Sequence, residues 1–347
     1  MRLVLATLAV AVATLSSQAQ DAPAVSATPL TAEAVNGADI STISAVYTPQ
    51  AEPTDPSLAV ERHPDPAVVR LQVLLDRAGA SPGVIDGYDG DNVRKAVLAF
   101  ELMHGLPPDG ALDPDVLAAL ETGGPVIGDY AIIADDLNAI GEPIPKDYAE
   151  QARRKFLGYA SIEESLAERF HMDIDLLKAL NPGARYTVGE PVYVAAYGPD
   201  LQGEVVRIEA DKSLRQVRAY DADNRLIAAY PATIGSEENP SPSGTHLVEA
   251  IVAMPEYTYN PRINFQQGEN TKVLTIPPGP NGPVGSMWID LSEPTFGIHG
   301  TPEPSLIDKT GSHGCVRLTN WDANELAKMV KQGVPVDFIG EDAKAAQ

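Results

Sequence analysis

A chain of 347 residues, 44% of them hydrophobic, has the length for several folded units. Its 25 Lys and Arg stand against 48 Asp and Glu, a formal net charge of −23, which argues against nucleic acid and anionic lipid as partners because neutralising phosphate takes clustered cations. A single cysteine, Cys315, excludes an intramolecular disulfide.

Residues 1–19 combine Arg2, an apolar run from Leu3 to Leu15 and the ending Ser17-Gln18-Ala19, the pattern of a signal peptide cleaved after Ala19. The run is shorter than the roughly 20 apolar residues of a membrane span, so no stable membrane insertion is expected after cleavage. Export implies the periplasm or cell envelope. Thiols tend to be oxidised there, so an unpaired Cys315 needs a reason. Residues 20–61, rich in Ala, Pro, Thr and Ser and without apolar period, read as a disordered linker.

Over 62–121 the spacing predicts three short helices. The first opens at Asp65-Pro66 and carries Val68, Val69, Leu71, Leu74 and Leu75. The second carries Val93, Ala96, Val97, Phe100 and Met103 as far as Gly105, and the third opens at Asp113-Pro114. The turn Gly83 to Gly87, then Arg94-Lys95-Ala96-Val97 with Phe100, then Gly105 to Gly110 resemble the peptidoglycan-binding domain. After a connector at 122–156, Ser161 and Glu164 suggest a capping box for one helix. A second helix bears Ile174, Leu177 and Leu180, and "YTVGEPVYVAA" reads as a strand. Residues 157–198 thereby resemble a LysM unit, although the usual Gly-Asp-Thr opening is missing at "LGYASIEES". Exposed polar joints between the units are expected to leave each able to fold alone.

From Gly203 onward "EVVRIEA", "LRQVRAY" and "LIAAYPATIG" read as strands, "IPPGPNGPVG" as a rigid loop, residues 322–332 as a helix and "VPVDFIG" as a last strand. No Gly-rich loop leads from a strand into a helix, so no nucleotide site and no cofactor are expected.

Near the thiol the chain reads "GSHGCVRL". An imidazole activates a thiol by taking its proton, and both His313, two residues before Cys315, and His299, sixteen residues before it, are placed to do so. Gly314 leaves room for backbone N–H groups to converge as an oxyanion hole. Two histidines and one cysteine lack the paired spacing of a zinc site, so no metal is expected. A cysteine protease is disfavoured because no Asn or Asp partner is placed by a protease motif.

"IHGT" at 298–301, "SHGCVRL" at 312–318, the following "NWD", and the upstream "SPSGTH", "YNP" and "IPPGPNGPVG" resemble the L,D-transpeptidase catalytic family over residues 203–339. The resemblance implies a mostly β catalytic domain, so the expected fold class is multidomain: a small three-helix bundle, a LysM-like α+β unit and that domain. It further implies Cys315 as nucleophile and His299 as general base, oriented by the backbone carbonyl of Gly300. Some relatives carry serine at that position, a difference expected to matter little. Ser312, His313 and Gly314 would shape the oxyanion and substrate side, and Arg317 would brace the loop or face a substrate carboxylate. The implied reaction cross-links peptidoglycan through a thioester formed on a stem tetrapeptide. Water as acceptor would make a carboxypeptidase, and a protein amine an anchoring enzyme. A wall-binding protein without catalysis is the rival. Implied partners are stem peptides and glycan, with carbapenem β-lactams as covalent inhibitors.

Overall fold

The computed structural model describes residues 30–43, 63–121, 123–236 and 238–341. The expected signal peptide lies outside them, as does most of the 20–61 stretch. The described part of that stretch is not the expected linker. Ala32–Asn36 form helix α1, whose N-cap Thr31 accepts a hydrogen bond from Ala34, and Val35 and Ile40 are buried. These two residues are too far apart to show as a period, yet both fill the core beside the next helix.

Helix α2 (Pro66–Arg77) starts on an Asp65 cap, α3 (Asp91–His104) ends on Gly105 at φ 67°, and α4 (Pro114–Leu120) starts on Asp113. Strand β1 (Ile127–Ala131) and helix α5 (Tyr148–Gln151) follow. Next come α6 (Ile162–Arg169), on a Ser161 cap, α7 (Ile174–Leu180) and β2 (Pro191–Ala195). β1 pairs antiparallel with β2, Ile127 opposite Ala195. The partner of β2 thus comes from the segment expected to be a connector, where five residues with one neighbouring strand give a weak alternation signal.

Val68, Val69, Leu71, Val73, Leu74 and Leu75 are all buried on α2. A helix apolar on so many sides needs more cover than two short neighbours supply. One continuous core accordingly joins α1 to α4 with β1, β2, α6 and α7.

The remaining chain forms β3 (Arg207–Asp211), β4 (Gln216–Tyr220), β5 (Leu226–Pro231), β6 (Thr233–Ile234), β7 (Gly244–Ala253), β8 (Tyr257–Tyr259) and β9 (Leu274–Ile276). It continues through β10 (Met287–Leu291), β11 (Gly297–His299), β12 (Val316–Arg317), α8 (Asn320–Met329) and β13 (Pro335–Ile339). Nine strands make one sheet in the order β5-β4-β3-β13-β7-β10-β11-β12-β6, while β8 and β9 pair separately. The first part of β7 pairs with β13 and the second with β10, so one strand links both halves of the sheet. Helix α8 starts two residues before the expected Asp322, because Thr319 accepts a hydrogen bond from Asp322 and so acts as the cap.

The joints between units are not the exposed polar segments expected. Ala80 bridges to Ala229 on β5, with Ser81 N–H donating to the Ala229 carbonyl at 2.9 Å. Lys95 on α3 pairs with Asp308 at 2.5 Å. Leu157 is fully buried with Tyr259 and Ile276. Its N–H donates to Pro278 and its carbonyl accepts from Asn281, clamping the proline-rich loop. These contacts put backbone and apolar side chains between the units, where periodicity gives no warning.

Candidate active site

β11 and β12 run parallel with Ile298 opposite Val316 and His299 opposite Arg317. Cys315 enters β12 one residue earlier. Because strand side chains alternate, this register puts Cys315, Arg317 and His299 on one face. All three line a cavity of about 450 Å³, together with His313, Trp288 and Tyr148. A second cavity of about 460 Å³ shares Trp288 and Thr295 with the first.

His299 is buried, and its Nδ1 lies 2.7 Å from the Gly300 carbonyl oxygen. A carbonyl only accepts, so Nδ1 carries the proton and Nε2 keeps its lone pair. The imidazole stacks on Trp288 at 5.4 Å between ring centres, and the indole is itself fixed by donating to Asp290 at 2.9 Å. Burial, with the Arg317 charge adding to it, pushes the His299 pKa down to about 4. The imidazole is neutral at neutral pH.

Burial pushes the Cys315 thiol up, while the Gly297 N–H and the Arg317 charge pull it back down. Its Sγ lies 3.6 Å from the Thr295 carbonyl oxygen. Both shifts favour the neutral forms of the two groups, thiol and imidazole.

Among the other expected residues, His313 is exposed and stacks on Phe265 at 4.0 Å. Arg317 reaches toward the Gly311 carbonyl at 3.5 Å. Ser312 does not face substrate: it is buried beneath the turn, donating to the Cys315 carbonyl at 2.6 Å and accepting from Gly314 N–H at 3.3 Å. That second bond engages the Gly314 N–H, so Gly314 serves by its shape. At φ 101° it adopts a conformation other residues avoid, and a Cβ there would lie 2.6 Å from the Phe296 ring. Gly300 is also less exchangeable than expected, since a Cβ would lie 2.1 Å from the Asn320 Oδ1. Among the described residues no cluster of three metal-binding side chains occurs.

Two contributors had no local sequence signal. Tyr148, on α5, packs edge-on to Tyr257 and Tyr259 and walls the catalytic cavity. The segment around it is tied to the catalytic domain, Gln267 accepting from Tyr148 N–H at 3.1 Å and donating to the Lys146 carbonyl at 2.8 Å. Asn320 stands in the "NWD" run that the sequence singled out, but nothing there shows its contact with Gly300.

Residues 205–337 match the family model of the L,D-transpeptidase catalytic domain, and residues 64–120 that of a peptidoglycan-binding domain. The L,D-transpeptidase YkuD of Bacillus licheniformis is 31% identical over 179 residues, covering 50% of this chain and 92% of that protein. Its Bacillus subtilis counterpart is 28% identical, covering 50% and 90%. Among solved structures, an L,D-transpeptidase from Mycobacterium smegmatis aligns at 20% identity and a TM-score of 0.33, covering 44% of this chain and 65% of that one. With the matched catalytic domain and a relative spanned almost end to end, the chain belongs to the L,D-transpeptidase family.

Proposed function

We propose that this enzyme cross-links peptidoglycan through a thioester at Cys315. The observation that carries the reading is the His299 imidazole, neutral, fixed at Nδ1 by the Gly300 carbonyl and sharing one face of a parallel strand pair with Cys315. As sulfur attacks the carbonyl between the L-centre of the diamino acid and the terminal D-alanine of a stem tetrapeptide, Nε2 takes the thiol proton. With the Gly314 N–H engaged by Ser312, the backbone N–H groups of His313 and Cys315 would meet the developing oxyanion. Collapse breaks the C–N bond, and the imidazolium protonates the departing D-alanine amine. An amine of a neighbouring stem then attacks the thioester, giving its proton to His299. Sulfur leaves and is reprotonated.

Two adjoining cavities, which share Tyr257, Ile263, Asn264, Val284, Trp288 and Thr295, would let acyl donor and acceptor lie side by side, which supports transfer to an amine over hydrolysis. The helical unit at 62–121, a three-helix bundle augmented by α1, would hold the wall. The α6 and α7 helices with the β1-β2 pair would be a LysM-like unit and would hold glycan, a reading that the antiparallel pairing of β1 with β2 supports. Residues 1–19 would export the chain to the periplasm or cell envelope.

Mass analysis of purified muropeptides incubated with the protein tests this. A dimer lacking one D-alanine is expected. Tripeptide alone would mean a carboxypeptidase, and unchanged muropeptides would refute the reading.

A further inference from the structure

Glu168, on α6, belongs to the N-terminal half of the molecule, yet its carboxyl meets the first residue of α8. The Asn320 Nδ2 lies 3.1 and 3.0 Å from its two oxygens. The same amide donates to the Pro280 carbonyl at 3.1 Å, and its Oδ1 accepts from Ser286 N–H at 2.9 Å. That Oδ1 occupies the space a Cβ at Gly300 would need. On the far side, the Gly300 carbonyl holds the His299 Nδ1–H.

We propose that Glu168 is a positioning residue for the reaction: it pins the Asn320 amide against the Gly300 backbone, and so sets the direction in which the His299 imidazole points. The inference rests on the reading of His299 as the base. Glu168 touches neither Cys315 nor the cavity that holds it, so its effect is transmitted through Asn320.

A structural role alone explains Glu168 poorly. Burial pushes its pKa up to about 8, the signature of a carboxyl that the fold pays to keep out of water. An apolar side chain of similar size would fill the same space without that penalty. What an apolar side chain could not do is accept from Asn320. The Tyr159 hydroxyl, 3.5 Å from Oε2, gives the carboxyl a second polar neighbour and fixes its rotation. Glutamine keeps the shape of the carboxyl and one acceptor for the Asn320 Nδ2.

The test uses the full chain and two variants, Glu168→Leu and Glu168→Gln. Three readings are taken: the thermal midpoint, the rate at which iodoacetamide alkylates Cys315 by intact mass, and the His299 signals in 15N–1H histidine spectra. The Leu variant is expected to keep or raise the midpoint, to alkylate about tenfold more slowly, and to shift the His299 Nδ1–H signal. The Gln variant should recover the rate to within about threefold of wild type. A folded Leu variant with wild-type rate and unshifted His299 signals overturns the proposal, as does an equal loss in both variants. If the Leu variant does not fold, the Gln variant decides: a near-wild-type rate supports the proposal, and a tenfold fall with the fold intact overturns it. Alkylation does not depend on which acyl substrate the enzyme uses. A wild-type rate in His299→Ala would instead show that the base itself is misassigned, an outcome separate from either result at position 168.

Discussion

Gly300→Ser is a small change in sequence with a large expected effect. The added Cβ would stand 2.1 Å from the Asn320 Oδ1 and 3.3 Å from the Asn320 Cα, so ordinary contact requires a shift of about 1 Å. Asn320 cannot swing aside freely, because four polar atoms at 2.9–3.1 Å hold its amide. Moving it would strand the Ser286 N–H or the Glu168 carboxyl in a buried place, at about 1–3 kcal/mol for each group, on top of about 1–3 kcal/mol of overpacking. If Gly300 yields instead, the carbonyl that fixes His299 moves with it, and a misplacement of about 1 Å at a catalytic group can slow chemistry about 100-fold. The variant should therefore lose roughly 2–6 kcal/mol in urea denaturation or acylate Cys315 far more slowly in single-turnover mass measurements. In a double-mutant cycle, Gly300→Ser and Asn320→Ala should cost less together than the sum of their separate losses, because each removes the same packed contact. A Gly300→Ser protein with both its denaturation midpoint and its acylation rate unchanged would refute the argument.

Cys315→Ala should abolish acylation while leaving the thermal midpoint nearly unchanged, since a methyl for a thiol is a slight packing change. His299→Ala should slow acylation far more than His313→Ala, because only His299 has the buried, oriented imidazole; single-turnover mass traces would show the reverse order if the base is His313. Incubation with a carbapenem should add one acyl mass at Cys315, located by peptide mapping. Acidification has a definite sign at His299: its pKa falls from 6.5 unfolded to about 4 folded, so the unfolded chain binds more protons between those values. The stability from keeping this imidazole neutral, on the order of 3 kcal/mol, is present above pH 6.5 and is lost as the pH falls toward 4, which denaturation midpoints at several pH values will show. A fragment starting near Asp200 should be unstable and inactive even on a soluble stem peptide, because it lacks Leu157 and Tyr148; wild-type turnover by the fragment would contradict this.

The candidate site was legible as a cluster because it is local. Cys315, Gly314, His313 and Ser312 lie in one turn, and His299 joins them through a two-residue parallel pairing whose ends are motif residues. Helix boundaries were legible for the same reason, since Asp65, Asp113, Ser161 and Gly105 act on backbone groups only a few residues away. The union of the units was not. Leu157 reads as one leucine in a polar stretch, and its burial depends on Tyr259 and Ile276, about a hundred residues further on. Glu168 sits in an amphipathic helix where an acid normally marks the wet side. The one available warning was α2, whose apolar residues exceed what a sixty-residue bundle can cover.

The half-buried setting of Cys315 also bears on how a lone thiol would endure in an oxidising compartment. Peroxides and disulfides react with the sulfur anion, and their attack scales with both its population and its exposure. A pKa raised by partial burial keeps that population small at rest. On the proposed reading, the imidazole takes the proton as an electrophile placed against the sulfur accepts the electron pair. Nucleophilicity is thus supplied by the substrate's arrival, and the sulfur between turnovers is chemically quiet.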